Sequence, residues 1–147
     1  MRAMVVGAGP AGLVTGAVLA RRGHQVVVVD RDGGPAPDGT WDRKGVMQFD
    51  GAHGFRSQVP ELLADEWPSA HAAWLAAGAE PGWFDLPGGS RVPAGVLSRR
   101  VTLERVLRAA AADVPGLTVR QGLADRPVGS GGRIRVDAAT PDQPVAI

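Results

Sequence analysis

The chain has 147 residues, and its content of 44% hydrophobic and 21% charged residues is typical of a globular protein. The formal net charge of +1 gives no electrostatic reason to expect nucleic acid or a membrane surface as a partner. The absence of cysteine excludes disulfides and thiolate metal sites, and the three histidines are too scattered for a compact metal motif. No apolar run approaches the roughly 20 residues that span a bilayer, and the start lacks the features of a signal peptide, so we expect a cytoplasmic protein.

The first thirty residues predict a strand, a helix and a second strand. The apolar run Ala3 to Val6 indicates a buried strand, and it ends at Gly7. A helix-competent stretch then runs to Arg22, with Pro10 suited to its first turn and Gly23 to its end. The segment Gln25 to Asp30 contains four consecutive valines, as in a strand of a parallel sheet that is covered on both faces. These elements form a βαβ unit.

The rest of the chain predicts further elements around a Gly- and Pro-rich loop at 31–44. Helical spacing covers Ser57 to Ala77, with a break at Pro68 and Ser69 as the cap of the second piece. We also predict a hairpin within 83–97, a helix at 102–114, a third strand at 117–121 and a short strand at 133–136. The fold class is therefore α/β: a Rossmann-like, three-layer dinucleotide-binding domain with a parallel sheet, here incomplete. We expect that domain at 1–123, with an insertion at 45–97, and a short strand with an irregular tail at 124–147.

The chemistry is carried by the glycine-rich turn between the first strand and the first helix. It has the pattern G-x-G-x-x-G, and seventeen residues separate its last glycine, Gly12, from Asp30 at the end of the second strand. Gly7 permits the tight turn, Gly9 lets the backbone approach a pyrophosphate, and Gly12 lets the helix pack closely. The helix N-terminus attracts phosphate, and Asp30 can accept both ribose hydroxyls of an adenosine.

This pattern leaves the choice between FAD and NAD open, because the same glycines and acid serve either dinucleotide. Three functions therefore compete: an FAD-dependent oxidoreductase, an NAD-linked Rossmann dehydrogenase, and a non-catalytic nucleotide-binding subunit that needs a partner chain. No Ser-His-Asp or paired-carboxylate site can be recognised from spacing. His53 and Gln48 are weak candidates for a place near the reaction.

Four stretches resemble the aromatic-hydroxylase-like flavoprotein monooxygenases over about residues 1–123. They are the glycine turn with its acid, the triplet Asp30-Arg31-Asp32, the segment Trp41 to Phe55, and Ser98-Arg99-Arg100 followed by Leu103-Glu104 and Leu107. The resemblance implies FAD as the cofactor and an arginine, Arg100 here, against it. The residues expected to bind the cofactor are Gly7, Gly9, Pro10, Ala11, Gly12, Asp30, Arg31 and Arg100.

The resemblance also implies a reaction. In the family NAD(P)H reduces FAD, and one atom of oxygen passes to a small organic, often aromatic, substrate. The family's later Asp-Gly and Gly-Asp motifs are not found in this sequence, so we expect either a portion of a longer enzyme or a chain completed by another. An unpaired sheet edge would favour a partner chain or self-association.

Overall fold

The computed structural model describes residues 1–41, 43, 45–124 and 136–138. The chain divides into two compact units, one formed by Met1–Arg43 with Ala111–Ile147 and the other by Lys44–Ala110. In chain order the elements are β1 (Arg2–Val6), α1 (Pro10–Arg21), β2 (Gln25–Asp30), β3 (Ala52–Phe55), α2 (Gln58–Glu66), α3 (Pro68–Ala76), β4 (Glu80–Asp85), β5 (Arg91–Arg99), α4 (Arg100–Ala111), β6 (Leu117–Ala124) and β7 (Val136–Ala138). Within the described ranges, no helix is both long enough and apolar enough to cross a bilayer.

The first unit begins with the βαβ unit that the sequence predicted. β1 and β2 are parallel, in a register that runs from Arg2 opposite Gln25 to Val6 opposite Val29. The connecting helix α1 ends as expected, because Gly23 adopts a φ of +86° and its N–H donates to the carbonyl of Ala20. β2 is almost entirely buried, as its run of valines predicted.

The sheet of the first unit has the strand order β1-β2-β6-β7. β6 is parallel to β2, so the predicted parallel arrangement of three strands is confirmed. β7 pairs antiparallel with β6 and adds a fourth strand to this sheet. The strand β7 at Val136–Ala138 shares only Val136 with the strand predicted at 133–136, whose other positions, 133–135, lie outside the described residues.

The second unit contains an antiparallel sheet with the order β3-β5-β4. β4 and β5 form the predicted hairpin, with an irregularity between Gly82 and Trp83. The short strand β3 was not predicted, because Ala52–Phe55 contains a glycine and lacks a β-branched residue. It is held by pairing with β5, which lies about forty positions further along the sequence.

Two short helices, α2 and α3, accompany this sheet. Pro68 separates them, as predicted, but the cap predicted at Ser69 is wrong. Pro68 takes the first helical position, so the N-cap is Trp67, whose φ of −147° is not helical, and Ser69 lies inside the helix. Trp67 and Trp74 are both fully buried.

Candidate functional site: the glycine turn and the end of the second strand

The turn after β1 adopts the tight geometry that its first glycine was predicted to allow. Gly7 has a φ of +100°, in the region that side chains with a Cβ rarely adopt. Its N–H donates to the carbonyl of Val29 over 2.7 Å, which ties the turn to the end of β2. The chain therefore leaves the sheet at the carboxyl ends of two parallel strands, where ligands of open α/β sheets bind.

The helix α1 begins directly after this turn. Gly9 is its N-cap, and the first helical bond runs from the N–H of Leu13 to the carbonyl of Gly9 over 3.0 Å. The amides of Ala11 and Gly12 precede that bond and have no acceptor within the helix. The first turn contains no acidic residue, so the positive end of the helix dipole is not offset from within the helix.

The three glycines of the turn differ in the space around them. A Cβ added at Gly7 or at Gly9 would meet no atom of the protein within 4 Å, so the backbone there is open to a ligand. At Gly12, a Cβ would lie 1.8 Å from the carbonyl oxygen of Gly7. Gly12 is therefore required for the close packing of the helix on the turn, and Gly9 keeps space free beside the helix N-terminus.

Asp30 ends β2 with a side chain that is only 8% exposed. Its Oδ2 accepts a hydrogen bond from the N–H of Ala8, inside the glycine turn, over 2.5 Å. Its Oδ1 accepts one from the N–H of Asp32 over 2.9 Å. The acid predicted to hold a ribose thus also connects the end of β2 to the turn that was predicted to hold the diphosphate.

Arg43 was not predicted as a site residue, although it lies in the segment that carries the family resemblance. Its Nη2 donates to Oδ2 of Asp30 over 2.9 Å, and its Nε lies 3.4 Å from Oδ2 of Asp32. At least three donors therefore surround the Asp30 carboxylate, which has about four lone-pair positions. Part of the acceptor capacity of Asp30 is therefore used by donors of the chain itself.

The two predicted arginines lie in different parts of the chain. Arg31 is exposed at the end of β2, where its main-chain carbonyl accepts a hydrogen bond from the Gln121 side chain over 3.2 Å. Arg100 begins α4 in the second unit, and its Nε donates to Oε1 of Glu104 over 2.7 Å. The Glu104 side chain is 0% exposed, so Arg100 balances a buried carboxylate within its own helix.

The weaker candidates also belong to the second unit. His53 lies on β3, with its ring edge-on to Phe55 at 6.0 Å between centroids. Gln48 has a φ of +53°, and its carbonyl accepts the N–H of Gly51 in a turn. Across the described residues, no group of three or more acidic, histidine or cysteine side chains could hold a metal ion.

Comparison with known proteins finds a family match in the first part of the chain. Residues 1–48 match the family described as FAD binding domain. The matched segment includes the glycine turn, the whole βαβ unit, Asp30 and Arg43.

Three solved enzyme structures resemble the chain over most of its length. A peptidyl tryptophan dihydroxylase, QhpG, is 25% identical with a TM-score of 0.57, and the match covers 94% of this chain and 28% of that one. The 2-methyl-3-hydroxypyridine-5-carboxylic acid oxygenase, as its C294A mutant, is 19% identical with a TM-score of 0.60 and coverages of 94% and 35%. The flavin-dependent monooxygenase PieE, solved with FAD and substrate, is 20% identical with a TM-score of 0.61 and coverages of 92% and 26%.

The match to an FAD binding domain supports FAD as the cofactor, as predicted. The solved structures show that the chain shares their fold. The chain spans 26% to 35% of the length of these three structures.

Proposed function

We propose that this chain is the FAD-binding part of a flavin-dependent oxidoreductase, a monooxygenase that acts on a small organic substrate with NAD(P)H and oxygen. The observation that carries the proposal is the meeting of the glycine turn, the N-terminus of α1 and Asp30 at the carboxyl ends of β1 and β2. The hydrogen bond from Ala8 to Asp30 joins these parts directly. The match of residues 1–48 to an FAD-binding domain supports FAD over NAD at this place.

The residues present fit the ADP half of FAD. The open backbone at Gly7 and Gly9 gives a diphosphate access to the amides of Ala11 and Gly12. Pro10 starts the helix without an N–H that would need a partner, and Asp30 offers its remaining acceptor capacity to the ribose. The parallel arrangement of β1, β2 and β6 is compatible with a three-layer Rossmann domain over the predicted 1–123.

In this proposal the residues of the chain bind and orient the cofactor, and a bound flavin supplies the redox chemistry. The helix N-terminus and the turn amides hold the negative charge of the diphosphate without any lysine or arginine in the turn itself. Arg31 and Arg100 are proposed to contact the cofactor, as the family resemblance implies. The substrate and the source of electrons are proposed by the same resemblance, as is a partner chain or second copy of the chain that completes the enzyme.

The direct test is the binding of FAD to the purified 147-residue chain. Titration followed by flavin fluorescence or calorimetry should give saturable binding, and NADH added in competition should not displace FAD at comparable concentration. A chain that binds NADH in preference to FAD would contradict the proposal and favour a dehydrogenase.

The variant Gly9→Val tests whether the diphosphate lies at the turn. Because an added Cβ at Gly9 meets no protein atom, the fold should be retained while the branched side chain occupies the space proposed for the phosphates. We expect the Kd for FAD to rise at least about 100-fold, which corresponds to roughly 2.7 kcal/mol of binding free energy. The matched control is Thr15→Val, which places the same side chain at an exposed position of α1 and should leave the Kd unchanged.

A Gly9→Val protein that melts like the parent chain and binds FAD equally well would place the phosphates elsewhere.

A further inference from the structure

Arg43 is a buried cation between two acids that flank the proposed nucleotide site. The side chains of Arg43 and Asp30 are each 8% exposed, and that of Asp32 is 15% exposed. The guanidinium also lies 5.7 Å from the ring centroid of Trp41, whose indole N–H donates to Oδ1 of Asp32 over 2.9 Å. We call Asp30, Asp32, Trp41 and Arg43 the Arg43 cluster.

We propose that Arg43 is a positioning residue for the nucleotide site: it holds the Asp30 carboxylate against the Ala8 amide of the glycine turn and reduces the negative charge next to the bound diphosphate. The proposal rests on the proposed function for its effect on FAD. Its effect on the turn can be measured without any ligand.

The geometry connects Arg43 to the turn through a single atom. Oδ2 of Asp30 accepts from both Nη2 of Arg43, over 2.9 Å, and the N–H of Ala8. Oδ1 of the same carboxylate accepts the N–H of Asp32. With donors on both oxygens, the carboxylate cannot rotate without losing a charge-assisted hydrogen bond. The orientation of Asp30, and with it the position of the Ala8 amide, therefore depends on Arg43.

The charges give Arg43 a second role. Asp30 and Asp32 are both largely buried and lie two residues apart at the end of β2, where the proposed diphosphate also brings negative charge. Coulomb repulsion between like charges is stronger at a partly buried site than in water, because the effective dielectric constant is lower. The two aspartates together carry a formal charge of −2. Arg43 brings the formal charge of the group to −1 and thereby lowers this repulsion.

The loop that carries Arg43 is anchored by the same cluster. Oδ1 of Asp32 accepts the N–H of Gly34 over 2.8 Å as well as the indole N–H of Trp41. Gly34 and Trp41 are thus both attached to one aspartate. Trp41 lies two positions before Arg43, so these bonds hold a neighbour of Arg43 beside the end of β2.

The experiment compares four variants of the 147-residue chain: Arg43→Met, Arg43→Lys, Asp32→Asn and the double variant Arg43→Met/Asp32→Asn. For each one, the Kd for FAD is measured at fixed ionic strength, and the exchange rate of the Ala8 amide is measured by NMR without FAD. The control is Arg91→Met, since Arg91 pairs with Asp85 on the surface, where the two side chains are 60% and 77% exposed. An exposed pair of this kind contributes little to stability.

We expect Arg43→Met to raise the Kd by about tenfold or more, about 1.4 kcal/mol, and to speed exchange of the Ala8 amide. Removing the second acid restores the net charge but not the contact between Arg43 and Asp30, so the Kd of the double variant should fall between those of Arg43→Met and the parent chain. Arg43→Lys keeps the charge but not the forked geometry, so its Kd should be intermediate. Arg91→Met should match the parent chain in both measurements.

The charge role is overturned if the double variant binds FAD no better than Arg43→Met, because a purely structural arginine would not be rescued by removing an acid. The positioning role is overturned if the Ala8 amide exchanges at the parent rate in Arg43→Met. Should Arg43→Met fail to fold, a parent Kd and a parent exchange rate in Arg43→Lys would overturn the proposal. If the parent chain does not bind FAD, the proposed function fails, and the Ala8 exchange rate alone decides the positioning role.

Discussion

Gly12 offers a sharp test of how the glycine turn is packed. In Gly12→Ala the new Cβ would lie 1.8 Å from the carbonyl oxygen of Gly7 and 3.0 Å from its carbonyl carbon. Close carbon–oxygen contacts in proteins fall at roughly 3.3 Å or longer, so the helix and the turn would have to separate by about 1.5 Å. The obstructing atoms are backbone, which cannot move aside as the end of a flexible side chain could.

Two effects oppose each other in this variant. Replacing glycine by alanine inside a helix stabilises it by up to about 1 kcal/mol. Overpacking of this kind costs about 1–3 kcal/mol, and the severity of the contact favours the upper end. We therefore expect a net loss of about 2 kcal/mol in the free energy of unfolding, or a fall in Tm of about 4–8 °C for a chain of this size.

The matched control is Gly9→Ala, three residues earlier in the same turn. Gly9 has a φ of −75° and a ψ of 178°, which any residue can adopt, and its Cβ would meet nothing within 4 Å. Alanine lowers the conformational entropy of the unfolded chain, which stabilises the fold, but it is a weaker N-cap than glycine. Because these two effects roughly cancel, the free energy of unfolding of Gly9→Ala should stay within about 1 kcal/mol of the parent value. Urea unfolding followed by circular dichroism measures both variants. Equal stability of Gly12→Ala and Gly9→Ala would refute the assigned packing.

Two further predictions concern charged groups. Arg100→Ala removes one charged hydrogen-bond partner of the buried Glu104 and should lower the free energy of unfolding by about 2 kcal/mol in urea titrations, whereas the exposed neighbour Arg99→Ala should not. If Arg100 also contacts the cofactor, only Arg100→Ala should raise the Kd for FAD. The side-chain and backbone hydrogen bonds from Thr40 lower the pKa of Asp38 below its model-compound value of 3.8. Asp38 therefore stabilises the fold at pH values above its unfolded pKa, and this contribution is lost as the pH falls through its folded pKa. In Thr40→Ala, NMR titration should show a higher pKa for Asp38 than in the parent chain. An unchanged pKa would contradict the assigned cause.

The elements that the sequence predicted well are those with strong local signals. The βαβ unit follows from an apolar strand, a glycine turn, a capped helix and a run of valines, each of which acts within a few residues. The break at Pro68 is equally local, because proline cannot continue a helix through its own position. The cap at Ser69 was wrong for a related reason: Pro68 already fills the first helical position, which leaves the residue before it, Trp67, as the cap.

The spacing of the sequence predicted that the glycine turn and Asp30 lie together, but not that an arginine contacts the acid. The spacing from Gly12 to Asp30 identified the acid, because a βαβ unit of standard length brings the second strand's end beside the turn. Nothing in that spacing indicated Arg43, which reaches Asp30 across a loop rich in glycine and proline. The sequence does not single out Arg43 as the partner of Asp30, because it contains fifteen arginines and Arg31 lies nearer to the acid in the chain.

The amino-acid sequence by itself determined where the chain turns, which segments are apolar and which backbone positions of the turn lack a Cβ, since these depend on residues close together in the chain. Only the tertiary structure decided that β3 exists, that β7 pairs with β6, and that Arg43 occupies part of the Asp30 carboxylate. Each of these depends on a partner brought from a distant point of the chain. Such pairings form only when packing offsets the entropy of closing the loop between them, and no local pattern records that balance.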